Sequence, residues 1–211
     1  MTDFRAQDVL DFWFGPDPLG AGHLPQRLRL WFGGEDPPEV IALRDETIAT
    51  RFGEYIDAAA RGELDHWAGS PHRLLALILL LDQFPRNVFR GKARAFAQDV
   101  KAASLCLTGL QTGADAALSP AERLFFYLPL QHAEDPALQD ESIAAYRRLA
   151  AESTPEHQGL FDNVLDFARQ HRDVIARHGR FPHRNAVLGR RSTASELAYL
   201  RGELAGWQKP P

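Results

Sequence analysis

Residues 71–81 read PHRLLALILLL, and from Leu74 onward every one of these side chains is apolar. A helix that is apolar on all sides belongs inside a protein rather than on its surface. Ser70 followed by Pro71 is a typical helix start, because serine caps the first amides and proline fits the first turn. The pattern predicts a helix over residues 71–84 at the centre of a helical bundle.

The rest of the chain also has the pattern of helices. No segment alternates apolar and polar residues with enrichment in β-branched side chains, as strands do. Helix starts recur instead: Ser119 and Thr193 each begin a capping box, and Asp135 and Thr154 each precede a proline. We therefore predict an all-α fold, a single-domain stack of about nine helices over residues 1–211. The predicted helices cover residues 4–14, 24–32, 38–61, 71–84, 93–112, 120–132, 136–151, 155–178 and 194–207.

Composition narrows the class of protein. The 211 residues are 45% hydrophobic and 25% charged, which excludes disordered, collagen-like and disulfide-rich chains. The one cysteine, Cys106, forms no internal disulfide and favours a reducing compartment. No secretory signal precedes the first helix, and the longest apolar run, Leu74–Leu81, is far shorter than the ~20 residues of a membrane span. We expect a cytoplasmic protein that does not contact a membrane.

Positive charge is concentrated in two segments. The chain carries a net charge of −4, yet residues 169–191 hold seven arginines and one acid. A second cluster comprises Arg86, Arg90, Lys92 and Arg94. Local basic clusters in an acidic chain indicate an anion site rather than a surface for nucleic acid, which is typically basic over a whole domain.

Four strings carry a family resemblance. They are VLDFWFG (9–15), LLLDQFPRNVFRG (79–91) with AFAQD (95–99), FFYLPLQHAED (125–135) and HRDVIARHGRFPHRNAVLGRRST (171–193). Together they resemble the bacterial domain-of-unknown-function family DUF924, over residues 4–207. The resemblance implies an all-helical fold similar to tetratricopeptide repeats, and it implies no established activity.

Two arginine–asparagine loops within these strings are candidates for ligand binding. Arg86, Asn87 and Arg90 follow the apolar helix, and Arg184 and Asn185 form a similar set near the C-terminus. Guanidinium groups suit carboxylate or phosphate because two parallel N–H donors match two oxygens. We therefore expect a small anionic ligand between the two loops, with Arg172 and His183 as further contacts. The alternative is that each arginine braces its own helix end.

Two histidines are candidates for catalysis. His132 and His171 lie on the apolar sides of predicted helices, where an imidazole has the chemistry for acid–base catalysis. With Glu134 they could also hold a divalent metal, although the spacing matches no metal motif. The structural alternative is that both are hydrogen-bonded core histidines. No glycine-rich nucleotide loop is present, and we expect no cofactor.

Three functional hypotheses follow from these candidates. The leading one is a protein, enzymatic or not, that binds a small anion in a pocket lined by arginine, asparagine and histidine. The second is a scaffold that holds a peptide in a groove of its helical repeats, by analogy of fold alone. The third is a metal-dependent hydrolase that uses His132, Glu134 and His171. An enclosed pocket would favour the first hypothesis and an open groove the second, while the oligomeric state stays undetermined.

Overall fold

The computed structural model describes residues 4–33 and 36–202. Within these ranges all regular structure is helical and no strand occurs, so the predicted all-α fold is confirmed. In the same ranges no helix has both the length and the hydropathy that crossing a membrane requires. The predicted helix 194–207 is described only as far as Gly202, and its later residues lie outside the described part.

The chain forms two compact units. In its described part, the N-terminal unit holds residues 4–33, 36–90 and 94–129, and the C-terminal unit holds residues 91–93 and 130–202. The expectation of one domain over the whole chain stays a prediction. Ten α-helices are described: α1 (Ala6–Phe14), α2 (Leu24–Phe32), α3 (Pro38–Ala60), α4 (Pro71–Leu81), α5 (Gln83–Val88), α6 (Asp99–Gln111), α7 (Pro120–His132), α8 (Pro136–Ala151), α9 (Gln158–His178) and α10 (Ala194–Arg201).

Helix α4 lies at the centre of the N-terminal unit, as its sequence predicts. Every side chain from Leu74 to Leu81 is buried, and α4 contacts α1, α3, α5 and α6. Aromatic side chains complete this core, since Trp13 lies 5.3 Å from Phe84 and 5.4 Å from Phe125, measured between ring centroids. Aromatic rings at this separation add stabilisation beyond the area that they bury.

Two predicted helices of the N-terminal unit are interrupted in the structure. The helix expected over 71–84 ends at Leu81, because Pro85 has no amide proton and its ring excludes the carbonyl of Leu81 one turn earlier. The chain resumes as α5. The helix expected over 93–112 is a 3₁₀ turn (Ala93–Phe96) followed by α6, which begins with the acidic Asp99 at its favourable end.

The C-terminal unit contains the paired helices α8 and α9, followed by α10. Asp135 caps α8 by accepting hydrogen bonds from the amides of Ala137 and Leu138, at 2.8 and 3.2 Å. Thr193 starts α10 with the predicted capping box. Helix α9 begins at Gln158 rather than at 155, because Thr154 bonds the ring of His157 (3.0 Å) instead of capping a helix amide.

Gly109 provides a test of packing between α6 and its neighbours. A β-carbon built there would lie 2.5 Å from Cζ of Phe126 and 2.9 Å from Cδ2 of Leu74, closer than side chains allow. We expect Gly109→Ala to lower the free energy of unfolding by about 1–3 kcal/mol, as overpacking does. Gly53 in α3 has no atom within 4 Å of such a β-carbon, so Gly53→Ala should stabilise by about 0.5–1 kcal/mol. Urea denaturation measures both, and a stabilised Gly109→Ala variant would contradict the tight packing.

Candidate functional site

Arg86 in α5 is held by two carboxylates of the N-terminal unit. Its guanidinium group donates to both oxygens of Asp99, at 3.1 and 3.0 Å, and lies 3.2 Å from Oδ1 of Asp82. It also donates to the main-chain carbonyl of Asp82 at 2.7 Å. Burial acts to lower the pKa of Arg86, but the fields of Asp82 and Asp99 outweigh burial and the pKa is raised. Arg86 is therefore a charged brace between α4, α5 and α6.

The other two predicted ligand contacts of the first loop share one partner. Asn87 donates to Oδ1 of Asp45 at 2.9 Å, and Arg90 donates to both oxygens of Asp45 at 2.7 and 3.1 Å. These bonds join α5 to α3. All three polar side chains of the loop thus contact carboxylates of their own unit, the arrangement expected of structural braces.

The C-terminal unit brings several predicted site residues together around Phe181, which is fully buried. The His132 and His171 rings are 6.2 Å apart, and the Phe181 ring lies 5.6 Å from His171 and 5.7 Å from His183. The guanidinium carbon of Arg184 lies 4.4 Å from the centroid of Phe181. We call His132, His171, His183 and Arg184 the imidazole–guanidinium cluster.

His171 has a defined proton position within this cluster. Its Nδ1 lies 2.7 Å from the carbonyl oxygen of Phe167, and because a carbonyl only accepts, Nδ1 carries the proton and Nε2 is the acceptor of a neutral ring. Burial lowers the pKa of His171 well below its usual value, and the positive fields of His132, Arg184 and His183 act in the same direction. The ring is therefore neutral at neutral pH.

The loop that carries His183 and Arg184 is fixed by Glu134, at the end of α7. The Glu134 carboxylate accepts two hydrogen bonds from Arg190, at 2.5 and 2.9 Å, and one from the amide of Phe181 at 2.8 Å. Burial acts to raise the pKa of Glu134, but these hydrogen bonds outweigh burial and the pKa is lowered. Glu134 therefore positions the loop as an ionised carboxylate.

Asn185, predicted to bind ligand, makes hydrogen bonds that stabilise its own loop. Its side chain is 1% exposed, donates to Ser192 at 3.0 Å and accepts from Nε of Arg190 at 3.0 Å. It lies one residue from Arg184, so its contacts fix the conformation of the chain that carries that guanidinium group.

One ion pair that sequence reasoning missed attaches α10 to this loop region. Arg180 donates to both oxygens of the buried Glu196, at 2.6 and 2.9 Å. The hydrogen bond from Arg180 is the largest contribution that lowers the pKa of Glu196, to about 2. The partners are 16 residues apart, so no local spacing links them.

Arg172, the last predicted ligand contact, lies away from the cluster. Its guanidinium group is 3.3 Å from Asp140 on α8 and 3.5 Å from Asp173. It lines an open groove between α8 and α9. Because the two arginine–asparagine loops belong to different units, a pocket shared between them stays a prediction.

The metal site that the sequence suggests has no set of ligands within the described ranges. No group of three or more histidine, cysteine, aspartate or glutamate side chains within residues 4–33 and 36–202 is placed to hold a metal ion. Glu134 is bound to Arg190 and to the Phe181 amide instead. Cys106 is fully buried, and burial raises its pKa well above the usual value, which disfavours the nucleophilic thiolate.

The fold and this geometry define an all-helical protein with imidazoles and a guanidinium group gathered in one unit. A family model described as a bacterial protein of unknown function, DUF924, matches residues 9–203, and the chain belongs to this family. It is also similar to ATU0120, a protein of unknown function from Agrobacterium tumefaciens. The two chains are 38% identical, the match covers 94% of this chain and 97% of the other, and the TM-score is 0.75. No match is found among curated proteins.

Proposed function

We propose that the C-terminal unit binds a small anionic ligand, one that bears a phosphate or a carboxylate, at the imidazole–guanidinium cluster. One observation carries this assignment: the rings of His171 and His183 and the guanidinium group of Arg184 contact the buried ring of Phe181, and the His132 ring lies 6.2 Å from that of His171. All four members of the cluster, His132, His171, His183 and Arg184, are among the catalytic or ligand-binding residues that the sequence predicts.

The electrostatics of the cluster favour an anion. Burial lowers the pKa of His171 most, and the positive fields of His132, Arg184 and His183 lower it further, so these groups oppose a positive charge on the His171 ring. A bound anion reverses this effect, because a negative charge nearby favours the protonated imidazole. Arg184 contributes a planar donor group suited to two oxygens of one ligand.

We assign no ligand to Arg86, Asn87 and Arg90, since carboxylates of their own unit occupy their donors. A catalytic role for His132 and His171 remains a prediction that depends on the identity of the ligand. Glu134 and Asn185 act as positioning residues, because both hold the loop on which Arg184 lies.

Sulfate binding followed by NMR tests the assignment, because sulfate remains a dianion over the whole pH range of the test. We expect sulfate to shift the imidazole resonances of His132 and His171, and to bind more tightly as the pH falls from about 8 to about 6, since the bound state takes up protons. Arg184→Gln should weaken binding by about tenfold or more, the loss expected for one charge-assisted hydrogen bond. Arg177→Gln, on an exposed part of α9, should bind sulfate as the unmodified protein does.

Two results would contradict this function. One is sulfate affinity that does not change with pH, and the other is equal affinity in the unmodified protein and the Arg184→Gln variant. If Arg184→Gln does not fold, His183→Gln provides the same test at a half-buried position.

A further inference from the structure

A groove of about 370 Å³ lies on the surface of the α8–α9 pair, and it is open to solvent rather than enclosed. Its volume is within the range of clefts that bind ligands. Four lining residues come from α8 and two from α9, and together they are Asp140, Ile143, Ala144, Arg147, Arg169 and Arg172. All six lie in the C-terminal unit, and none belongs to the imidazole–guanidinium cluster.

The groove carries more positive than negative charge. Three guanidinium groups line it against one carboxylate. In the part of the chain that the structure describes, the Arg147 side chain makes no hydrogen bond or ion pair. Arg147 is therefore the lining cation whose charge no carboxylate of the described residues balances, and it can attract an acidic group.

The other two arginines have partners that a ligand can replace. Arg169 contacts Asp166 at 2.6 Å, with both side chains more than half exposed. The contacts of Arg172 to Asp140 and Asp173 are long, at 3.3 and 3.5 Å, and also lie at the surface. Exposed ion pairs contribute only about 0–1 kcal/mol, so carboxylates of a bound molecule can take their place at little cost.

The middle of the groove is apolar. Ile143 and Ala144 are half-buried between the charged groups. Along α8, Asp140 and Arg147 are two helical turns apart, a distance of about 10 Å. On α9, Arg169 and Arg172 are neighbours one turn apart. The groove thus has an apolar centre with guanidinium groups on both helices. The charged groups along α8 extend over a distance that a short peptide can span.

We propose that the α8–α9 groove binds an acidic peptide segment of a partner protein, with one apolar side chain on Ile143 and Ala144. Its glutamate or aspartate residues pair with Arg147, Arg169 and Arg172. An acidic peptide is the occupant that fits, because its carboxylates complement the arginines of the groove. The open shape also favours a peptide, since an enclosed site would suit a small anion better. This binding site is independent of the function assigned to the imidazole–guanidinium cluster.

Fluorescence anisotropy with a short labelled peptide tests the groove. The probe has a central leucine flanked on each side by two glutamates, and its control has glutamines in place of the glutamates. We expect the acidic probe to bind and Arg147→Glu to weaken it by about tenfold or more. Arg148→Glu is the matched control, since Arg148 is exposed and adjacent but does not line the groove, and it should change affinity by less than about threefold. Arg169→Glu should behave as Arg147→Glu does.

Three results would overturn the peptide site. Equal weakening by Arg147→Glu and Arg148→Glu would show attraction to net charge alone. Equal binding of the glutamine peptide would exclude recognition of acids. Sulfate or succinate could also displace the labelled probe at the same concentration at which an unlabelled copy of the acidic peptide displaces it. That result would identify a small-anion site instead. Arg184→Gln should leave peptide affinity unchanged, so failure at the cluster and failure at the groove are distinguishable.

Discussion

Replacing Arg86 with alanine is expected to lower the free energy of unfolding by about 3–5 kcal/mol, the usual cost of removing one partner from a buried ion pair. Asp82 is completely buried and Asp99 nearly so, and both lie against this one guanidinium group. Without it, two carboxylates remain in the interior beside each other and lose their shared cation. Each must then be protonated or hydrated, and both cost free energy. Guanidinium chloride denaturation followed by circular dichroism measures the loss.

Arg90→Ala is the matched control for this variant. Arg90 belongs to the same loop and also binds a carboxylate, but its side chain is 37% exposed. An ion pair of this kind contributes about 0–1 kcal/mol. A loss of less than about 1 kcal/mol in Arg86→Ala would mean that water replaces the guanidinium group easily, and the brace would then be disproved.

Arg86 also shows what the sequence could and could not predict. The polar segment expected as a loop after the apolar helix is in fact the short helix α5, which contains Arg86 and Asn87. The LLLDQFPRNVFRG string correctly indicated the buried helix before it, because burial depends on neighbouring residues. It did not indicate which acid each cation contacts. Asp99 and Asp45 lie 13 and 42 residues from their partners Arg86 and Asn87, and such separations carry no periodic signal.

The break at the end of α4, unlike these distant ion pairs, could be predicted, because its cause is visible in the sequence. Pro85 lies four residues after Leu81, where a proline removes a helical hydrogen bond. The prediction of a helix over 71–84 gave more weight to the uninterrupted apolar run than to Pro85. Local stop signals therefore deserve more weight than hydrophobicity when a buried helix is delimited.

At the candidate site, helical spacing predicted the burial of His171 but not its partners. Its four-residue spacing from other apolar positions places the ring inside, where it is 4% exposed. The ring becomes part of a cluster only because the following loop folds back and brings His183 and Arg184 to Phe181. That return depends on Glu134, which is 47 residues from Phe181. The sequence indicates Glu134 only as a possible metal ligand, and its role as an anchor of the loop follows from the structure alone.

Replacing Glu134 with alanine is expected to lower the free energy of unfolding by about 2–4 kcal/mol. The carboxylate accepts three hydrogen bonds, two from Arg190 and one from the amide of Phe181, and hydrogen bonds to charged groups contribute about 1.5–3 kcal/mol each. Arg190 retains its bonds to Asn185 and to the Phe181 carbonyl, so the loss is smaller than the sum. Urea denaturation measures it.

Hydrogen exchange separates a loosened loop from a general loss of stability. The Phe181 amide donates directly to Glu134, so in Glu134→Ala its exchange should accelerate more than that of amides within α9, which keep their helical partners. Glu141→Ala removes an exposed acid of α8 and should change stability by less than about 0.5 kcal/mol. If exchange at Phe181 and in α9 accelerates by the same factor, Glu134 supports the whole unit rather than the loop. In that case the position of Arg184 depends on packing around Phe181, and not on this carboxylate.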